Sequence, residues 1–206
     1  MRTAPRLPTS PRDITAARPN GSIFLTGHDP DFHAQDSVHA QHLLSNGLAF
    51  VTGGTFDKEY NELTGALFFK ESHVSEMLAL GRCGIDVEVT RLMMIDSTEM
   101  TDADREVILK KCTDFFDERV VITHGTDTMA ETARYLGERI QDQTIVLTGA
   151  MVPYTFGSSD GLFNLGSAIA FAQALASGTY VAMNGRVFRG DEVRKNKASG
   201  VFEERV

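Results

Sequence analysis

The sequence predicts an α/β fold: a three-layer arrangement in which a mostly parallel sheet is flanked by helices and completed by a C-terminal hairpin. Three observations carry this. From Gly47 onward, short apolar runs alternate with longer helix-like stretches, the pattern of a parallel sheet whose crossovers cover both faces. Asn184-Gly185 separates the apolar runs 180–183 and 186–188, and Asn-Gly in that setting makes a tight antiparallel turn. Polar clusters stand directly behind three of the runs, at 52–55, 123–128 and 148–150, where sheets of this class gather their ligand-binding loops.

The elements follow in order. The first 20 residues contain four of the six prolines and four arginines against one acid, which excludes a helix and reads as a disordered tail. This start resembles an organelle transit peptide in composition, but the prolines forbid the amphipathic helix of such peptides. Residues 21–46 read as a His-rich connector, with a short strand at 23–25 and a turn or two of helix at 37–44 opened by Ser37. They hold His28, His33, His39 and His42 among Asp29, Asp31 and Asp36. Imidazole and carboxylate ligate metals, yet the spacing fits no H-E-x-x-H or paired zinc pattern, so no metal is expected. Residues 1–46 are therefore an N-terminal extension, and 47–206 form the chemistry-bearing domain.

Within that domain, strands are expected at 48–51, 86–90, 120–123, 144–147 and 180–183. Thr128 with Glu131 has the pattern of a capping box, and Thr101 precedes Asp102 and Asp104 in a first helical turn. Asp160 precedes a helix-like stretch over 161–176, and Gly178 supplies a stop for it.

Composition limits the function. The chain of 206 residues is 42% hydrophobic and 23% charged, which is ordinary for one folded domain with appendages. A net charge of -8 repels phosphate backbones and argues against a nucleic-acid partner. The sequence shows neither an apolar run of spanning length nor a secretory signal pattern, so no membrane is expected. Cys83 and Cys112 lack C-x-x-C spacing and fit a reduced, cytoplasmic setting.

Three motif matches fail on inspection. Residues 52–57 contain no lysine placed as a P-loop requires. No two glycines are spaced i, i+2, so the dinucleotide fingerprint is absent and no cofactor is expected. Residues 157–161 match G-x-S-x-G around Ser159, but that hydrolase elbow needs a later histidine and the last one is His124; a loop and cap is the simpler reading.

The remaining polar groups make a coherent set. A threonine hydroxyl is a weak nucleophile and needs a neighbour to take its proton and donors to hold an oxyanion. Thr55 follows Gly53-Gly54, which lets the backbone turn sharply and expose amides. Tyr60 lies five residues on in a polar loop that would have to fold over the site to reach it. Thr126 and Asp127 follow a buried strand, and Lys195 lies in the polar run 194–197. A lysine with an adjacent aspartate can assist deprotonation. His124, a single histidine at a strand end, reads as structural.

The motifs at 51–55 (VTGGT) and 121–128 (VITHGTDT) resemble the two signatures of the bacterial-type L-asparaginases, threonine-dependent amidohydrolases. Similarity continues through 147–151 (LTGAM), 159–165 (SDGLFNL) and 193–195 (VRK), in the family's order, from about Gly47 to Glu203. The resemblance implies an N-terminal-domain-like asparaginase fold, of the flavodoxin/Rossmann-like class. It implies that Thr55 attacks the side-chain amide, that Tyr60 activates it, and that Thr126, Asp127 and Lys195 form the other half of the site. By the same resemblance Ser97, with Thr98 beside it, binds the substrate's α-carboxylate, and main-chain atoms at Gly54, Gly125 and Ala150 face the substrate. Thr98-Glu99 departs from the family's usual serine- or glutamine-plus-aspartate. The chain stops at Val206, as in a short single-domain form without the family's second domain, which implies closure by another surface and a homo-oligomer, dimer or tetramer. The expected reaction is L-asparagine, and possibly L-glutamine, to the acid and ammonia without cofactor. Two alternatives remain open at this point: the ammonia-generating subunit of a tRNA-dependent amidotransferase, and a non-catalytic amino-acid-binding module.

Overall fold

A computed structural model describes residues 47–114 and 119–205. The extension 1–46, with its histidines and the strand and helix expected there, lies outside the described residues.

Strand β1 (Gly47–Val51) leads through a 3-10 turn (Thr55–Asp57) into a short hairpin, β2 (Lys58–Tyr60) and β3 (Leu67–Phe69). Helix α1 (Val74–Leu80), β4 (Val87–Arg91), α2 (Asp102–Asp114), β5 (Arg119–Thr123), α3 (Met129–Gly137), β6 (Thr144–Thr148), α4 (Gly161–Ala174) and β7 (Gly178–Met183) then alternate. Strand β8 (Arg186–Arg189) and a second hairpin, β9 (Val193–Asn196) and β10 (Val201–Glu204), complete the described chain.

Among the described residues a sheet runs in the order β4-β1-β5-β6-β7-β8, parallel except for the last pair. The chain leaves β1 for β4 on one side and returns to β5 on the other. The crevice at such a reversal, beyond the carboxyl ends of β1 and β5, is where open α/β sheets bind ligands. The β7-β8 turn is the expected one: Asn184 and Gly185 both take positive φ, 52° and 76°, as a two-residue hairpin of this twist demands.

Alternation along the strands divides the core into two layers. Leu48, Phe50, Val120, Ile122, Ile145 and Leu147 face one side with Ile108 of α2, Ala133 and Leu136 of α3, and Val193 and Phe202 of the β9-β10 hairpin. Ala49, Val51, Val121, Val146 and Ala182 face the other with Val74 and Met77 of α1 and Leu165, Ala168 and Ala172 of α4. Burying the strands on both faces explains why they read as continuous apolar runs.

Four local expectations are corrected. Thr128 occupies the cap position of α3, but its hydroxyl does not cap the helix; it donates to the Ser97 carbonyl at 2.8 Å. Asp160 precedes α4, but its carboxylate accepts from the amides of Met151 and Val152 instead of capping the helix. Gly178 does not stop α4, which ends at Ala174 and Leu175; with φ 151° it opens β7. Tyr60 lies in a hairpin strand and not in a loop. Thr101 and Asp104 do exchange bonds across the first turn of α2, with the Thr101 amide donating to the carboxylate at 2.8 Å.

Candidate active site

Four loops at the carboxyl ends of β1, β4, β5 and β6 meet with almost no space between them. The Thr52 amide and hydroxyl both donate to the Thr123 carbonyl, at 3.2 and 2.8 Å, joining the ends of β1 and β5. The His124 amide donates to the Thr148 carbonyl at 2.8 Å, joining β5 to β6. Gly54, at φ 120°, packs its α-carbon so closely on the next loop that a Cβ there would lie 2.6 Å from the Gly125 nitrogen. Gly125 in turn meets Ser97, whose Oγ would lie 2.5 Å from a Cβ at Gly125. Glycine is required at Gly54 for conformation and contact alike, and its neighbour Thr55 is fixed accordingly.

Residues from sequence-distant elements converge here. The Lys195 ammonium, on β9, donates to Thr126 Oγ1 at 2.7 Å and to Asp127 Oδ1 at 2.8 Å. Lys195 is only 10% exposed whereas Asp127 is 48% exposed, so the two partners are unequal. The lysine depends on its bonds for compensation, while the carboxylate is half in water. Thr126 is buried, and Ser97 is buried beside Gly125. Ala150 is buried and the loop behind it is strapped by Asp160, which also accepts from Asn164 Nδ2; Asn164 Nδ2 donates to the Gly149 carbonyl as well.

The Thr55 side chain makes no hydrogen bond to another described residue, and neither does Tyr60. Tyr60 is 57% exposed on its hairpin, beside an open groove of about 530 Å³ lined with Glu59, Thr155 and Phe156. The structure therefore joins Thr126, Asp127 and Lys195 directly, seats Ser97 and Gly54 against Gly125, and shows no hydrogen bond between Tyr60 and Thr55. Thr98 is exposed and turns its hydroxyl and amide to Asp96 Oδ1, at 2.8 and 3.0 Å.

His124 is buried beneath this surface. Its Nδ1 lies 2.7 Å from the Gly125 carbonyl, an acceptor only, so Nδ1 carries the proton. Burial pushes the imidazole pKa down to about 4, so Nε2 is bare and accepts from Thr132 Oγ1 at 2.9 Å, whose oxygen accepts from Arg105 Nε. The chain of bonds holds the Gly125 carbonyl in place and leaves His124 no free nitrogen for chemistry. Ser159 is likewise structural: its hydroxyl donates to the Val152 carbonyl at 2.6 Å and accepts from the Gly161 amide.

A stability prediction follows from His124. Because the folded state keeps it neutral down to about pH 4, the unfolded chain binds the proton first, near pH 6.5, and stability falls as pH drops through that window. The full effect is about 3 kcal/mol. Denaturant midpoints measured from pH 7 to pH 4 are expected to slope less in His124→Gln than in the wild type; equal slopes would contradict this.

The sequence alone gave no signal that the Lys58 ammonium pairs with Asp96, because the partners are far apart in the chain. Asn164 lay within a quoted motif, but only the fold shows its side chain bridging Gly149 and the Asn184 amide.

Comparison with known proteins accords with this geometry. The family described as Asparaginase, N-terminal matches residues 48–203. An L-asparaginase of Thermococcus kodakarensis is 33% identical over 159 residues, 75% of this chain and 48% of that protein. A glutaminase-asparaginase of Acinetobacter glutaminasificans is 39% identical over 111 residues, 50% of this chain and 34% of the relative. Among solved structures, one titled a probable cytoplasmic L-asparaginase from Campylobacter jejuni superposes with a TM-score of 0.69 at 31% identity, covering 78% of this chain and 53% of that one. The chain thus spans about half the length, or less, of the curated relatives it matches.

Proposed function

The chain belongs to the asparaginase family, through that family's N-terminal domain, and from this premise we propose that it is an amidohydrolase converting L-asparagine to L-aspartate and ammonia through a threonine acyl-enzyme. The observation that supports it best is the convergence of Lys195 on Thr126 and Asp127 at the β1-β5 crevice where Thr55 also lies.

In this reading Thr55 Oγ bonds to the side-chain amide carbon as Tyr60, brought in by its hairpin, takes the hydroxyl proton and passes it to the departing nitrogen. Main-chain atoms at Gly54, Gly125 and Ala150 surround the reacting amide. Collapse breaks the C-N bond and leaves an aspartyl ester on Thr55. Water then attacks the ester carbon; Thr126 Oγ1 takes its proton while giving its own to the departing Thr55 oxygen, and the Lys195 ammonium, held by Asp127, fixes that hydroxyl for the relay. Thr55 recovers a proton as the ester opens. Ser97 and Thr98 receive the α-carboxylate, and Asp127 receives the α-ammonium through the oxygen not bonded to Lys195.

Relatives carrying the names L-asparaginase and glutaminase-asparaginase favour hydrolysis over ammonia transfer to a tRNA-bound acceptor, as does the acidic charge of -8. Among the described residues no helix is long and apolar enough to cross a membrane. The cysteines are free, which accords with a cytoplasmic location, and the exposed Tyr60 hairpin accords with closure of the site in a homo-oligomer. Since one methylene gives only about 1 to 3 kcal/mol of discrimination, asparagine and glutamine are to be tested together. Ammonia release from asparagine at least as fast as from glutamine is expected; release from neither would overturn the proposal.

A further inference from the structure

The Tyr60 hairpin follows β1 and the loop that presents Ser97 and Thr98 follows β4, and an ion pair ties them. The Lys58 ammonium bonds Asp96 Oδ2. The other oxygen, Oδ1, accepts from the Thr98 amide and hydroxyl, and the Glu99 amide closes the turn on the Asp96 carbonyl at 2.9 Å. Asp96 therefore shapes the turn with one oxygen and grips the hairpin with the other. Lys58 is pinned in its strand as well, with Phe69, its cross-strand partner, 5.6 Å away under the ammonium. The Lys58 carbonyl accepts from Thr155 Oγ1 at 3.4 Å. Side-chain exposure of 20% and 30% for the two partners leaves the pair open to water. The hydrogen bond from Lys58 holds the Asp96 carboxyl down to about 2, so the carboxylate stays ionised throughout the neutral range.

We propose that Lys58 and Asp96 are positioning residues: their ion pair latches the hairpin bearing Tyr60 to the turn bearing Ser97 and Thr98, so that both arms of the site are set by one contact. A partly exposed pair adds little to global stability, which separates this role from a purely structural one. The inference rests on the asparaginase reading for its kinetic consequence and on the geometry alone for its dynamic one.

The test uses Lys58→Met, Lys58→Arg, Asp96→Asn and the Lys58→Met/Asp96→Asn double variant. Asn keeps the Oδ1 bonds to Thr98 and loses only the ion pair. Lys58→Met and Asp96→Asn are each expected to raise KM for asparagine about ten-fold, since ten-fold corresponds to one modest polar contact, with kcat falling less and the thermal midpoint near that of wild type. The double variant is expected to match the worse single one, and Lys58→Arg to recover most of the loss. Amide hydrogen exchange in Lys58→Met is expected to quicken in both 58–69 and 95–100. Unchanged KM, multiplying single effects, or no rescue by arginine would overturn the kinetic role. Unchanged exchange in either segment would overturn the latch itself. If the wild type releases no ammonia, the activity reading fails, and the exchange result still decides the latch.

Discussion

Replacing Thr55 with alanine is expected to reduce ammonia release by roughly 10⁴-fold or more, the scale of removing a nucleophile from a covalent mechanism, while the protein keeps its fold. The retained fold follows from the environment. Thr55 is half-buried in the 3-10 turn, and its hydroxyl bonds to no other described residue, so alanine leaves no buried partner unsatisfied. The loop geometry is set by Gly54 against Gly125 and by Thr52 bonding Thr123, neither of which involves the Thr55 side chain. Circular dichroism and the thermal midpoint should match wild type. Thr55→Ser should retain measurable turnover, because the hydroxyl survives and only the methyl is lost.

Lys195→Met gives the second large effect, a loss of about 10² to 10⁴ in kcat, the range for disabling one assisted proton transfer, because Thr126 loses the donor that fixes it. Methionine preserves the length and apolar stem of a side chain that is 10% exposed, and it removes a nearly buried charge that needs compensation. Asp127, 48% exposed, stays solvated when left alone. The converse change, Asp127→Ala, removes half of the compensation of a nearly buried cation and is expected to lower the thermal midpoint more than Lys195→Met does. Steady-state kinetics and melting on the two variants check the asymmetry; equal midpoints would contradict it.

Much of the sheet was legible in the sequence because its strands are covered on both faces. Residues 48–51, 120–122 and 145–147 are apolar without interruption, a pattern that surface strands do not show. The turn at Asn184-Gly185 was legible because so few residues accept positive φ at two successive positions. The β2-β3 hairpin was not, since Lys58-Glu-Tyr60 is charged and half-exposed and its pairing depends on register with Leu67–Phe69. Capping patterns failed where tertiary partners competed. The Thr128 hydroxyl finds the Ser97 carbonyl and the Asp160 carboxylate finds the amides of Met151 and Val152, and a local pattern cannot see either.

The site divides the same way. Thr126 and Asp127 stand out because they are polar residues directly behind a buried strand, and the fold brings Lys195 to them from the far end of the domain. Tyr60 was assigned to Thr55 by resemblance, and the fold places it on an exposed hairpin strand three residues beyond the 3-10 turn that holds Thr55. His124 drew notice as the histidine beside the candidate residues, and its full set of buried partners accounts for it as a brace for Gly125.

A threonine acyl-enzyme can be trapped. Wild-type protein mixed with asparagine and quenched rapidly, then digested and examined by mass spectrometry, should carry an aspartyl ester on Thr55, and hydroxylamine should capture it as the hydroxamate. An adduct on another residue, or ammonia release undiminished in Thr55→Ala, would rule out Thr55 as the nucleophile.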